Sequence, residues 1–194
     1  GKSVPSLAES LEKMGIEREQ VTDAVITHLH FDHAGGWTEP DSNGKLVPVF
    51  PKAIHHVQEE QLTSALNPSA RDRGSFIEGN FEPLVEAGLI EKVKGSCELP
   101  CGIEVMALGG HTPGLQVPVV RGEKETVAFP SDLIPTAAHL KLPWIMAYDL
   151  FPLKTLEEKI DLLEKAAKND WIMVIQHDPE ITAVKVTKSG DKFE

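Results

Sequence analysis

Residues 28–33 read His-Leu-His-Phe-Asp-His, three histidines and an aspartate within six positions. No other stretch of the chain constrains it as strongly. The preceding run Asp23-Ala24-Val25-Ile26-Thr27 is dominated by β-branched and small apolar residues and predicts a short buried strand. On an extended backbone, residues two apart point the same way, so His28 and His30 can grip one ion together. The chain then turns at Ala34-Gly35-Gly36, where glycine permits a tight path and lets Asp32 and His33 face a second position. Imidazole nitrogens with a carboxylate oxygen form the donor set of zinc and other first-row divalent ions. A lone histidine is more often packed without metal, but three in six residues at the mouth of a strand point to ligation.

The series His28-Leu29-His30-Phe31-Asp32-His33 resembles the HxHxDH signature of the metallo-β-lactamase superfamily of hydrolases. In that family a histidine in a Gly-His-Thr-Pro-Gly turn, an aspartate after a strand and a histidine near the C-terminus follow in order. The matching positions are His111 in Gly110-His111-Thr112-Pro113-Gly114, Asp132 at the end of residues 126–132, and His177 at the end of residues 171–177. The resemblance implies an α/β fold, the αββα sandwich of the metallo-β-lactamase family. It also implies two divalent metal ions per chain, zinc first, with iron, manganese or cobalt as alternatives. By that analogy His28, His30 and His111 hold one ion, Asp32, His33 and His177 hold the other, and Asp132 bridges them. Two ions about 3.5–4 Å apart share a water and lower its pKa, so the implied reaction is attack by a metal-bound hydroxide. The expected substrate is a lactone, ester, thioester or phosphotriester.

Departures from the family pattern narrow this reading. Asp132 stands where true β-lactamases usually lack a bridging carboxylate. His30 replaces the glutamate of the flavodiiron branch. The segment Gln176-His177-Asp178-Pro179-Glu180 resembles the C-terminal metal motif of acyl-homoserine lactonases. Those enzymes place a tyrosine shortly after the bridging aspartate, and Pro135 stands there instead. Tyr148 or His139, from the segment 133–150 expected to roof the pocket, can take that part, so Asp32, His139 and Tyr148 are the candidate catalytic side chains. Leu115 stands where many relatives carry a histidine. Phe31, Trp37 and Trp144 suit an apolar pocket rim or an ordinary core equally. The strands that open related enzymes, one ending in an Asp-Thr-Gly turn, have no counterpart here, so the chain reads as a shortened family member. A bare sheet face would favour a homodimer. A mononuclear iron thiol dioxygenase and a catalytically silent metal-binding scaffold are the alternative readings.

Composition sets the remaining bounds. The 194 residues suit one domain, 1–194, with 41% hydrophobic and 25% charged residues. A net charge of −11 disfavours nucleic acid and anionic membranes as partners and leaves a small-molecule substrate. No signal peptide or spanning segment is evident, so a cytoplasmic protein is expected. Cys97 and Cys101, the only cysteines, read as free thiols. His55 and His56 read as structural or pocket-lining. Arg71-Asp72-Arg73 reads as a solvated loop.

The coarse elements are then as follows. Helices are expected over residues 3–14 (Leu7, Leu11 and Met14 inward), 58–66, 76–88 (Phe81, Leu84 and Val85 inward) and 154–168 (Leu156, Ile160, Leu163 and Ala167 inward). Strands are expected over 46–57, broken by Pro48 and Pro51, and over 89–93, 103–108 and 171–175. Hairpins are expected over residues 117–129, around 121–123, and over residues 181–193, around 189–190.

Overall fold

The computed structural model describes residues 5–194, which divide into two compact units, one ending at Val93 and one spanning Lys94–Glu194. Both mix helices and strands, as the α/β expectation requires. No described helix is long and apolar enough to cross a membrane.

The N-terminal unit begins with helix α1 (Leu7–Lys13). Its expected start at Ser3 lies outside the described residues. The Ser6 hydroxyl accepts the Glu9 N–H and the Glu9 carboxylate accepts the Ser6 N–H, a capping box that sets the start of the helix. Gly15, at φ +79°, stops it. The inward face differs from the expected one. Met14 is 73% exposed, and Ala8, not Leu7, joins Ala24, Val49, Phe50 and Ala53 in a small core with Leu11 at its edge. A small residue at the contact lets the helix come close, and the larger side chains splay outward.

Three parallel strands, β1 (Asp23–Val25), β4 (Ile54–Gln58) and β5 (Ile90–Val93), form the sheet in the order β1-β4-β5. Between β1 and β4 lie helix α2 (Phe31–Ala34) and the hairpin of β2 (Thr38–Pro40) and β3 (Leu46–Pro48). The Asp41 carboxylate closes that hairpin by accepting the N–H groups of Asn43 and Lys45. Helix α3 spans Glu59–Leu66. The single helix expected over residues 76–88 is instead a 3₁₀ turn, Glu78–Asn80, followed by the short α4 (Glu82–Glu86). Pro83 belongs in a first helical turn, so the helix begins there and does not run through it. Phe81 and Leu84 are buried as expected, while Val85 faces solvent.

The C-terminal unit carries β6 (Cys97–Glu98), β7 (Glu104–Leu108), β8 (Leu115–Arg121), β9 (Thr126–Ala128), helix α5 (Pro152–Lys168), β10 (Ile172–Val174) and β11 (Ala183–Lys185). The six strands make one sheet in the order β11-β10-β9-β8-β7-β6. The expected hairpin around residues 121–123 is the β8–β9 pair. The closing hairpin is shorter than expected, β12 (Lys188–Ser189) with β13 (Lys192–Phe193), because residues 183–185 join the main sheet beside β10. The core gathers Leu115, Val117 and Val119 from β8, Met173 from β10 and Leu162, Leu163 and Ala166 from α5. Full burial of each large aliphatic side chain contributes about 1.5–3 kcal/mol. Cys97 and Cys101 are free and exposed, as expected.

His55 and His56 take structural positions on β4. The buried His55 ring stands edge-on to Trp37, with centroids 5.4 Å apart. Burial lowers its pKa, with the Leu89 and Ala53 carbonyls opposing. His56 Nε2 lies 2.8 Å from Asp23 Oδ1, across the β1–β4 pair. That hydrogen bond, and a second from the Thr22 hydroxyl, hold the Asp23 carboxyl below its ordinary pKa. A carboxylate depressed in the folded state contributes stability above its unfolded pKa and loses it as pH falls through the folded value. Asp23→Asn is therefore expected to destabilise the protein at neutral pH. Denaturant titrations at stepped pH should show the gap to wild type closing below about pH 4.

Candidate metal centre

The N-terminal unit presents its four candidate ligands on one short path. After β1 the chain bends at Thr27 and again at His30, and His30 (φ −62°, ψ 149°) caps the N-terminus of α2. His28, Leu29 and His30 are all buried, with Leu29 packed into the apolar core. The His28 ring centroid is 4.6 Å from that of His30 and 4.0 Å from that of His33. Asp32 and His33 lie on the first turns of α2, with carboxylate and imidazole 3.6 Å apart, and the Asp32 side chain is exposed. The His33 carbonyl accepts the Trp37 indole N–H, which fixes the exit of this loop. Gly35 is required here, because a Cβ would stand 2.6 Å from the Phe31 carbonyl oxygen.

The C-terminal unit gathers three more ligands from distant parts of its sequence. Strands β7 and β9 both run antiparallel to β8, and β10 runs parallel to β9. The three therefore run the same way. His111 follows β7, Asp132 follows β9 and His177 follows β10, so all three leave the same edge of the sheet. Asp132 divides its carboxylate between the other two: Oδ2 is 3.3 Å from His111 Nε2 and Oδ1 is 3.1 Å from His177 Nε2. The turn that aims it is a 3₁₀ segment, Ser131–Leu133, with Ser131 at φ +50°. A non-glycine residue in the left-handed region is strained, and such strain collects where function fixes the backbone. The His177 N–H donates to the Pro135 carbonyl at 2.9 Å. Asp178 accepts the N–H groups of Ala137, Glu180 and Ile181, which lowers its pKa and ties the His177 turn to residue 137.

Helix α5 holds the His111 turn through a polar inner face. Glu158 accepts the N–H groups of Gly109 (2.8 Å) and Gly110 (2.9 Å) with its two oxygens. Burial raises its pKa and those two N–H groups oppose the rise. Lys159 is fully buried and donates to the carbonyls of Lys141 (3.1 Å) and Trp144 (2.7 Å). Burial lowers its pKa to about 8, against the attraction of Asp149. The buried residues of α5 are Thr155, Lys159, Leu162, Leu163 and Ala166, while the expected Leu156, Ile160 and Ala167 flank that face half-buried. Counting apolar residues alone places the inward face one position off, because it misses Thr155 and Lys159.

Of the two proposed substrate-holding side chains, Tyr148 is 75% exposed and His139 is half-buried. His139 Nδ1 lies 2.8 Å from the Thr136 hydroxyl, and burial with the nearby Lys159 charge lowers its pKa. Asp149 is the residue that sequence reasoning missed. Its Oδ1 lies 2.8 Å from His111 Nδ1, and both side chains are buried. No motif spacing announces it.

Packing at the turn separates the two glycines before His111. A Cβ on Gly110 would collide with the backbone nitrogen and hydroxyl of Thr155, whereas one on Gly109 would meet only the flexible end of Lys154. Gly110→Ala should cost about 1–3 kcal/mol by denaturant unfolding, with Gly109→Ala clearly milder.

The comparisons with known proteins agree with this geometry. A probable metallo-hydrolase of Mycobacterium tuberculosis is 24% identical over 196 residues, covering 90% of this chain and 60% of that protein. The chain thus spans about six-tenths of that relative's length. A solved structure of a probable metal-dependent hydrolase from Staphylococcus aureus superposes with a TM-score of 0.87 at 23% identity, covering 100% of this chain and 68% of that one. AidC, a dizinc quorum-quenching lactonase solved with its product N-hexanoyl-L-homoserine, superposes at 0.81 and 22% identity over 100% of this chain and 70% of that one. These likenesses establish the metallo-β-lactamase fold. The family model for the metallo-β-lactamase superfamily matches residues 2–177, and the chain therefore belongs to that superfamily.

Proposed function

We propose that the chain carries the catalytic residues of a metal-dependent hydrolase, with a lactone or related ester as substrate. By the family analogy, His28, His30, Asp32, His33, His111, Asp132 and His177 would hold two divalent ions, zinc first. The observation that carries this reading is the Asp132 carboxylate, which turns one oxygen to each of two imidazole nitrogens. A carboxylate so divided is suited to serve two metal positions, and the packed imidazoles of His28, His30 and His33 match the donor chemistry of such ions. When bound, a pair of such ions supplies an activated water at neutral pH and positive charge to stabilise a developing oxyanion.

The residues of the chain supply position and selectivity. Asp32, exposed on α2, would accept a proton. Lys159 holds segment 133–150 through the Lys141 and Trp144 carbonyls, and His139 and Tyr148 of that segment would donate to a substrate carbonyl. Lactones are favoured for two reasons: residues 176–180 resemble the lactonase metal motif, and AidC is a lactonase.

Elemental mass spectrometry of the purified protein should find two zinc or similar ions per chain, and N-acyl homoserine lactones should be hydrolysed. Asp132→Ala should lose both metal and turnover. Tyr148→Phe or His139→Ala should lower kcat/KM, and unchanged values in both would remove those side chains from the mechanism. A single iron per chain with thiol oxidation would replace the hydrolase by a dioxygenase. A chain that binds no added zinc would end the reading.

A further inference from the structure

We infer that Asp149 is the positioning residue of His111 and that segment 133–150 acts as the second layer of the metal centre as well as its roof. This rests on the proposed metal reading for its consequence, but its geometry stands alone. His111 has both ring nitrogens committed: Nδ1 to Asp149 Oδ1 at 2.8 Å, and Nε2 on the side of Asp132 at 3.3 Å. Both carboxylates accept only, so a cation that takes the Nε2 lone pair beside Asp132 leaves the ring proton on Nδ1, where Asp149 holds it. Asp149 also makes the imidazole a stronger donor.

The surrounding bonds hold Asp149 in that pose. The Leu150 N–H donates to the His111 carbonyl at 3.0 Å and the Phe151 N–H to the Gly110 carbonyl at 2.8 Å, so residues 149–151 run along the ligand turn as a short ladder. The Asp149 N–H donates to the Met146 carbonyl at 3.2 Å. Lys159 pins Lys141 and Trp144 upstream and places its charge toward Asp149, which offsets the burial of that carboxylate. The Asp149 side chain has 1% of its surface exposed. Without a charged or hydrogen-bonding partner a buried carboxylate is costly, and the imidazole and the ammonium supply that need.

The test uses the full chain with Asp149→Asn and Asp149→Ala. Zinc affinity is read by competition with a chromophoric chelator, and the His111 tautomer by ¹⁵N NMR of the metal-free protein at fixed pH. Wild type is expected to carry a proton on Nδ1, with or without a second on Nε2 toward Asp132. Both variants should shift that population and bind zinc about 10–100-fold more weakly, with the Co(II) absorption spectrum altered. Asparagine keeps the volume of the side chain, so it decides the matter should the alanine variant not fold. A wild-type tautomer and zinc affinity within about twofold in Asp149→Asn would overturn the inference. Should wild type bind no metal, the metal reading fails, and the tautomer measurement still decides whether Asp149 orients His111.

Discussion

The C-terminal unit is arranged around one carboxylate. Asp132 is 7% exposed and stands within about hydrogen-bonding reach of two imidazoles, from His111 and His177. A carboxylate in that setting is stabilised only by positive charge or donors brought to it from elsewhere in the chain. The sheet performs that task. Three strands running the same way release their chains at one edge, and a candidate ligand stands a few residues past each strand end. The strained turn at Ser131 is the local cost of pointing the carboxylate back along that edge.

The inner face of α5 follows from the same requirement. A glycine turn pressed against a helix has no water to satisfy its N–H groups, so the helix must offer acceptors. Glu158 takes both. The adjoining segment 133–150 has no regular strand pairing, and two of its carbonyls accept from Lys159. Burying an ammonium is costly, and an apolar residue at this position would leave those carbonyls unmatched. Leu162, Leu163 and Ala166, one and two turns further on, give the apolar contact that anchors the helix to the sheet. One helix thus divides its length between polar support of a ligand turn and ordinary core packing.

This division explains what could be read from the chain and what could not. That His28, His30, Asp32 and His33 lie together was legible because all four fall on one short stretch at the start of a short helix. His111, Asp132 and His177 became legible only through their likeness to a family, since nothing in local spacing brings positions 111, 132 and 177 together. Asp149 escaped because an aspartate in a polar-looking loop has no signature until the imidazole beside it is placed. The face of α5 was read one position off because a periodicity built on apolar residues treats Lys159 as solvent-facing. The helix over residues 76–88 broke at Pro83, whose fixed φ suits a helix start better than an interior.

The two ligand groups therefore differ in how they depend on folding. Residues 28–33 lie on one continuous stretch, and their arrangement needs little more than β1, the turn of α2 and the packing of Leu29. The triad of His111, Asp132 and His177 exists only when β7, β9 and β10 are registered and α5 is docked beneath the His111 turn. Loop closure of this range costs entropy before any contact rewards it. A ligand shared among such distant residues favours the folded state over the unfolded one, by the linkage that couples metal binding to folding. On the proposed reading, a metal ion would thus favour the registered arrangement of β7, β9 and β10 that brings His111, Asp132 and His177 together.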